Sequence, residues 1–185
     1  MVIITSMESQ SSSVLAMPEE DWFAIYTRSR HEQVVYNQLL AKGEDVFLPT
    51  MRIWSRRTDR RLRIEVPMFP GYLFVHTSLD PARQLSVLRT VGVVNLVSFK
   101  GRPASVNPEE INSLKIIIAS GTTIHPAENY RTGDLIRIVE GPFKGVIGRL
   151  VERRSSKRLV VAVETISQAV YVEVDDHLVR KAETI

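Results

Sequence analysis

Side chains able to perform acid–base, nucleophilic or metal chemistry are sparse in this sequence and follow no familiar pattern. Asp175 and Asp176 are adjacent in a strand-like stretch, where neighbouring side chains point to opposite faces, so a turn or a solvated strand end explains them better than a carboxylate pair. The absence of cysteine excludes disulfides, thiol nucleophiles and cysteine-ligated zinc. The histidines lack metal-site spacing; they are His31, His76, His125 and His177. No nucleophile elbow or phosphate-binding loop is present, and we expect a non-enzymatic protein without metal or cofactor.

Arginine is the one residue type whose clustering suggests a ligand. Between Arg52 and Arg63 the sequence has six arginines against one acid, Asp59. Guanidinium groups bind phosphates through paired hydrogen bonds, and counterion release favours such clusters. A second cationic group lies where a strand meets a helix start, at which backbone amides also bind phosphate. A solvated loop tip whose charge protects an edge strand is the alternative for the first group. For the second group, simple solvation is the alternative and, taken alone, the simpler explanation. The candidate nucleic-acid contacts are Arg28, Arg30, His31, Arg56, Arg57, Arg60 and Arg61.

The stretch EVPMFPGYLFVH stays apolar on both faces, unlike a strand with one face in water. Strand parity places Tyr72 and Phe74 on one face and the aliphatic residues Leu73 and Val75 on the other. We expect the aliphatic face to lie in the core. The aromatic face, together with Phe69, either binds a partner or is core as well.

The elements that must position these residues are predicted from periodicity and capping. A strand, WFAIYTRS, precedes a helix that a capping box of Ser29 and Glu32 would start and that would end near Lys42. Two further helices are predicted from a cap followed by proline at the first helical position, at Asp80–Pro81 and Asn107–Pro108. The remaining strong patterns are strands separated by turn residues.

The composition along the chain predicts an α+β protein of two domains. The segment 121–130 is rich in Gly, Thr, Pro and Asn, and every strong pattern after it is β. The predicted organisation is a disordered leader at 1–20, an N-terminal domain at 21–120, a linker at 121–130 and a C-terminal domain at 131–185. A hydrophobic content of 44%, a net charge of +3 and the lack of a long apolar run are those of a soluble protein. We expect a cytoplasmic monomer that does not associate with membranes.

Glycines punctuate the first strands of the predicted C-terminal domain, in GDLIRIVEGPFKGVIG. Their spacing resembles that of the KOW motif, and this resemblance implies an SH3-like β-barrel. The valine-rich strands that follow favour a barrel over helices, because valine loses χ1 freedom in a helix. A basic loop in this domain either binds RNA or a partner or is a plain hairpin tip; its residues are Arg153, Arg154, Lys157 and Arg158. The motif residues are Gly133, Asp134, Gly141, Pro142, Phe143, Gly145 and Gly148.

With WFAIYTRSRHE, FPGYLFV, LRTVGVV and the KOW stretch in this order, the chain from about Trp22 onward resembles the NusG family of transcription elongation factors. The resemblance implies an NGN domain, with an antiparallel sheet and flanking helices, followed by an SH3-like β-barrel KOW domain. It also implies that Phe69, Tyr72 and Phe74 bind the clamp helices of the RNA polymerase β′ subunit. The cationic residues around Arg28 would then face the non-template DNA strand.

Two segments, FPGYLFV and RHEQVVYNQLLAKGEDVFLPT, resemble specialised members of that family, such as RfaH and the UpxY-type regulators. Arg83, Gln84, Leu85 and Ser86 match the RfaH stretch that touches the gate loop of the polymerase β subunit, although the threonine run of RfaH is absent. In ETISQAVYVEV, serine and glutamine replace the phenylalanine and glycine of the ribosome-contacting segment in housekeeping members.

The resemblance therefore implies an elongation or antitermination factor that suppresses pausing or termination. Its KOW domain would recruit a ribosome, a termination factor or nascent RNA. The alternative is a KOW-type RNA-binding module of ribosomal or ribonucleoprotein type, which explains the basic loops but leaves residues 22–120 without a role.

Overall fold

The computed structural model describes residues 20–55, 62–127, 133–153, 156–175 and 182–184. The elements of the N-terminal domain are, in chain order, β1 (Glu20–Thr27), α1 (Glu32–Ala41), β2 (Asp45–Phe47), β3 (Thr50–Trp54), β4 (Arg63–Pro67), β5 (Tyr72–Ser78), α2 (Pro81–Leu88), β6 (Val93–Leu96), β7 (Ser98–Phe99), β8 (Arg102–Pro103), β9 (Ser105–Val106) and α3 (Pro108–Ala119). Those of the C-terminal domain are β10 (His125–Pro126), β11 (Asp134–Ile138), β12 (Ile147–Arg153), β13 (Ser156–Val163), the 3-10 turn η1 (Glu164–Ile166), β14 (Gln168–Val174) and β15 (Ala182–Thr184).

The N-terminal domain is built on an antiparallel sheet in the order β2-β5-β1-β6, with β9 also pairing with β1. One face of this sheet carries Phe23 and Ile25 from β1 and Leu73 and Val75 from β5. These aliphatic and aromatic residues form a buried cluster with α1, α2 and β6. The prediction that Leu73 and Val75 lie in the core is therefore confirmed.

Two of the three predicted helix starts are confirmed. Asp80 accepts hydrogen bonds from the backbone N–H groups of Ala82 and Arg83, and Asn107 accepts one from Glu109. Proline follows each cap, where its missing N–H costs nothing and its fixed φ suits the helix. Local chemistry thus decides where α2 and α3 begin.

The C-terminal domain is a six-stranded antiparallel sheet in the order β10-β14-β13-β12-β11-β15. The β structure predicted for its valine-rich segment is confirmed, with alternate residues of β13 and β14 buried on one face. The predicted linker is only partly a connection, because His125 and Pro126 pair with Tyr171 and Val170 as an edge strand.

The two domains share one buried cluster. It contains Trp22 and Phe74 from the N-terminal sheet, Leu114 from α3, and Leu159 and Val161 from the C-terminal sheet. Polar contacts between the domains border it. Among them, Arg137 Nη2 lies 2.7 Å from Glu109 Oε1, the Ile147 N–H donates to Ser113 Oγ at 2.9 Å, and Thr165 Oγ1 donates to the Ser105 carbonyl at 3.2 Å. The C-terminal domain therefore packs on the side of the N-terminal domain that α3 covers.

Candidate functional site

The turn between β4 and β5 is held in place by a buried carboxylate. Gly71 adopts φ +85°, a left-handed conformation that a side chain would strain. Its N–H donates to Glu32 Oε1 at 2.7 Å, and its carbonyl accepts from the Thr27 N–H at 2.8 Å. The turn that carries Tyr72 is thereby tied to both α1 and β1.

The predicted capping box at the start of α1 is wrong. The helix begins at Glu32 with His31 as its N-cap, and no side chain caps it. The reason is tertiary, because the Glu32 side chain, only 7% exposed, is engaged by Gly71 instead of turning back to its own helix. Ser29 contributes its carbonyl, which lies 2.9 Å from His31 Nδ1.

The predicted aromatic set does share one side of the sheet, but it is not bare. Phe69 and Phe74 are 1% and 0% exposed, so the expectation that they form an open patch is wrong. Their rings meet edge to face at 6.3 Å, and Phe47 stacks on Phe74 at 6.2 Å. Both rings belong to the buried cluster that includes α3 and the C-terminal sheet, and this packing covers them.

Two tyrosines remain at the open edge of this aromatic face. Tyr72 is half-buried, and Tyr26, directly opposite it in the β1–β5 register, is 41% exposed. Their ring centroids lie 5.3 Å apart. Sequence reasoning missed Tyr26, although the alternation of β1 places it on the same face as Trp22 and Ala24. We refer to Tyr26 and Tyr72 as the tyrosine edge.

The candidate nucleic-acid group around Arg28 lies next to the same turn. Arg28 and Arg30 are exposed and His31 is half-buried in the loop between β1 and α1. Arg30 adopts φ +61°, and the Arg28 N–H donates to the Gly92 carbonyl at 2.8 Å. This loop therefore presents two guanidinium groups beside the N-terminus of α1, close in the chain to the tyrosine edge.

The described members of the arginine cluster, Arg52 and Arg63, lie on a hairpin formed by β3 and β4. Arg52 and Arg63 are exposed, and the Arg63 guanidinium lies 5.0 Å from the ring centroid of Trp54. The candidates Arg56, Arg57, Arg60 and Arg61 lie outside the described residues.

The candidate gate-loop stretch lies within α2, and two of its four residues, Arg83 and Leu85, are exposed. Arg83 forms ion pairs with Glu20 at 3.1 Å and with Asp80 at 3.8 Å, and Leu85 is 45% exposed. Gln84 and Ser86 are half-buried. Hydrogen bonds from the Arg83 backbone N–H and from Ser78 keep the pKa of Asp80 below its usual value, which maintains the charged cap.

The KOW residues shape the first hairpin of the C-terminal sheet. A Cβ on Gly148 would lie 2.6 Å from the Val160 carbonyl oxygen, so β12 and β13 approach too closely there for a side chain. Phe143 is buried at 3% exposure. The surrounding turns are formed by Gly133, Gly141, Pro142 and Gly145, and Asp134 begins β11.

The basic group of the C-terminal domain is only partly a loop. Lys157 pairs with Glu152 at 3.2 Å, and the Arg158 guanidinium lies 4.2 Å from the centroid of the Tyr171 ring. Both residues belong to β13 and not to a hairpin tip. Arg153 ends β12, and Arg154 lies outside the described residues.

A partly buried carboxyl lies where α3 meets the C-terminal domain. Burial raises the pKa of Glu110 to about 7; the backbone N–H of Glu164 lowers it and the Glu164 carboxylate raises it further. Glu110 Oε2 makes no hydrogen bond. Sequence reasoning had no signal for this, since the burial depends on the packing of two distant segments.

The described residues contain neither a cluster of metal-binding side chains nor a helix that could span a membrane. Among the described residues, no three His, Asp or Glu side chains converge as a metal ion requires. None of the described helices is both long and apolar enough to cross a bilayer.

Comparisons with known proteins agree with this architecture. The family described as "NusG: Transcription termination factor nusG" matches residues 20–115. A protein of Streptococcus pyogenes serotype M3, "Transcription termination/antitermination protein NusG", is 28% identical over 152 residues, which are 75% of this chain and 84% of that protein. The protein of the same name from Rickettsia conorii is 22% identical and covers 95% of this chain and 99% of its own.

One solved structure supports the same fold. It is described as "Domain interaction in Thermotoga maritima NusG", superposes with a TM-score of 0.52 at 20% identity, and covers 90% of this chain and 98% of its own. The NGN-type antiparallel sheet with flanking helices and the β-rich C-terminal region expected from the sequence are confirmed. The family match spans the N-terminal sheet, β3, β4 and most of α3, and on that evidence the chain belongs to the NusG family.

Proposed function

We propose that this protein is a transcription elongation and antitermination factor that binds RNA polymerase through the aromatic face of its N-terminal sheet. The observation that carries the proposal is the family match over residues 20–115, the segment that contains the tyrosine edge. The curated relatives named above are transcription termination/antitermination proteins. The expected partner is the helical clamp of the β′ subunit.

The tyrosine edge is the part of this face that a partner reaches without rearrangement. Tyr26 and Tyr72 combine a large apolar ring with a hydroxyl, and such residues dominate the energetics of interfaces. Phe69 and Phe74 lie behind them in the shared core. A partner that required these two phenylalanines would first have to displace what covers them.

The factor must bind the elongating state of the polymerase more tightly than the paused state. A ligand with equal affinity for two states shifts neither, however tightly it binds. We infer that the first domain provides this preference and that the cationic loop at Arg28 and Arg30 contributes contacts to the non-template strand. The C-terminal domain would then recruit the ribosome, a termination factor or nascent RNA.

One feature of the C-terminal domain supports a specialised, operon-specific role for this factor. Ser167 adopts φ +53° and Gln168 begins β14, at the position where housekeeping members of the family would present phenylalanine and glycine to the ribosome. Recruitment of the ribosome by this domain would therefore have to use other residues than that phenylalanine. Target operons would be identified by mapping the protein on the genome during transcription.

Retention of purified RNA polymerase by the immobilised full chain tests the main proposal. We expect Tyr26→Ala with Tyr72→Ala to weaken retention by about tenfold or more, because each removed anchor costs about 1–2 kcal/mol. Phe99→Ala is the matched control, since Phe99 is a 70% exposed ring on β7 outside this face. Circular dichroism confirms that each variant is folded.

Unchanged retention in the double variant would contradict the polymerase-binding surface. If wild type retains no polymerase but binds structured RNA tightly, the RNA-binding module is the correct function. Transcription across a pause site and a terminator, with and without the protein, then measures the direction of the effect on pausing.

A further inference from the structure

The two tryptophans of this chain lie in opposite environments. Trp22 is 8% exposed within the shared core, whereas Trp54 is 58% exposed near the end of β3. Trp54 belongs to neither of the buried clusters. A large ring left in water forgoes the free energy of burial, which for an aromatic side chain amounts to about 1.5–3 kcal/mol.

The register of the hairpin puts cations on the same face as this ring. Trp54 lies opposite Arg63, and Arg52 lies opposite Glu65. All four side chains therefore project from the same face of the hairpin. Glu65 Oε1 accepts a hydrogen bond from Thr50 Oγ1 at 3.0 Å. Neither Arg52 nor Arg63 forms an ion pair with a carboxylate of the described residues. The face thus presents an aromatic ring and two guanidinium groups.

The Arg63 guanidinium already lies 5.0 Å from the centroid of the Trp54 ring. This cation–π contact orients both groups and leaves more than half of the tryptophan side chain accessible. A cross-strand pair that serves only to stabilise the hairpin is the simplest alternative, and such pairs contribute about 0.2–1 kcal/mol. That alternative explains the contact but not the exposure.

The chemistry of this face fits an unpaired nucleotide. Proteins that bind single strands combine aromatic rings, on which bases stack, with arginines that follow the phosphates. The charge is complementary, since the segment from Arg52 to Arg63 has six arginines and one acid. A duplex keeps its bases stacked on each other and offers no free base to the ring.

We propose that Trp54 is a stacking platform for an unpaired base of single-stranded nucleic acid, with Arg52 and Arg63 binding the neighbouring phosphates. The proposal depends on the function proposed above only for the source of the ligand, since an elongation factor would meet the single strand in the transcription bubble. The ligand itself is defined by its chemistry and is tested without polymerase.

The intrinsic fluorescence of the full chain provides a direct measurement. Single-stranded DNA and RNA of about twelve nucleotides, and a DNA duplex of the same length, are titrated at low salt. Stacking on Trp54 quenches its emission, while the buried Trp22 stays unaffected. We expect single strands to quench and the duplex to bind without quenching; the DNA and RNA titrations show which sugar is preferred.

Substitutions separate stacking from charge. Trp54→Ala is expected to abolish the quenching and to weaken single-strand binding about 5- to 100-fold, the range that loss of one stacked base produces. Trp54→Phe keeps a ring and most of the affinity, which excludes simple unfolding. The salt dependence of log K stays unchanged in Trp54→Ala, but its slope falls by about one in Arg63→Ala.

Three results would overturn the proposal: no quenching of the wild type by single strands, equal quenching by the duplex, or wild-type affinity in Trp54→Ala. Loss of polymerase retention in Trp54→Ala with normal oligonucleotide binding would identify the ring as a protein anchor instead. The two proposals fail separately, because the Tyr26 and Tyr72 substitutions leave this hairpin intact and the titration contains no polymerase.

Discussion

Glu32 shows how one buried side chain positions the tyrosine edge. Its carboxylate accepts the Gly71 N–H in a buried hydrogen bond and so connects the first turn of α1 to the turn before β5. A buried carboxylate is costly unless it is paired by hydrogen bonds. At its φ of +85°, Gly71 adopts a conformation that would strain any residue with a side chain.

We expect Glu32→Ala to lower the free energy of unfolding by about 1–3 kcal/mol, because it leaves the Gly71 N–H buried without an acceptor. Urea denaturation of the full chain measures the change. Glu32→Gln is the matched control, since its amide oxygen still accepts the same bond and the loss should be smaller. Equal midpoints for wild type and the alanine variant would show that the bond contributes nothing net.

The helix α3 is the element that joins the two domains. One of its faces packs on the N-terminal sheet, with Lys115 Nζ 4.7 Å from the Trp22 ring centroid, and Ser113 accepts a hydrogen bond from β12. Asn107 caps this helix and Pro108 is its first residue. The start of α3 therefore affects both domains.

Asn107→Ala is expected to destabilise the protein by about 1 kcal/mol, the usual loss when a capping side chain is removed. The temperature at the midpoint of thermal unfolding is therefore expected to be lower in Asn107→Ala than in the wild type. Asn107→Asp keeps an acceptor at the cap and adds a charge that the helix N-terminus favours, so it should unfold at or above the wild-type temperature. If the aspartate variant were as unstable as the alanine variant, a contact other than the cap would have to account for the effect.

At the scale of the whole molecule, the two domains pack as one body around a common core. The interface combines apolar residues with the Arg137–Glu109 ion pair and the partly buried Glu110 carboxyl beside Glu164. The pKa of Glu110 is raised from 4.5 to about 7. A carboxyl with a raised pKa favours the packed state when it is protonated. That contribution is complete below about pH 4.5 and is lost as the pH rises to about 7.

The pairing of the domains should therefore weaken between about pH 5 and pH 7. Glu110→Gln remains neutral throughout and is expected to unfold at higher urea than wild type at about pH 8, with a difference that shrinks toward about pH 5. Glu109→Gln is the comparison variant, because it removes the neighbouring ion pair without changing the buried carboxyl. A pH-independent difference between Glu110→Gln and wild type would contradict the role of this ionisation.

The features that the sequence determined by itself depend on interactions between residues close together in the chain. Caps at Asp80 and Asn107 depend on a side chain and its own backbone, and strand parity depends only on alternation, so Leu73 and Val75 were correctly assigned to the core. The family signature could be recognised from the sequence for the same reason. Its glycines and turn residues are required by the local backbone conformation, which depends only on residues nearby in the chain. Only one residue of the tyrosine edge could be predicted from the sequence. Tyr72 lies in the conspicuous FPGYLFV motif, whereas Tyr26 lies in no such motif.

Tertiary structure alone decided which side of the aromatic face is open. Parity says that Phe74 shares a face with Tyr72, but whether that face meets water depends on α3 and on the C-terminal sheet, which begins at β10 (His125–Pro126). The same long-range packing drew Glu32 away from its predicted cap and raised the pKa of Glu110. Exposure and desolvation are set by neighbours distant in sequence, and periodicity or capping in a short window contains no information about them.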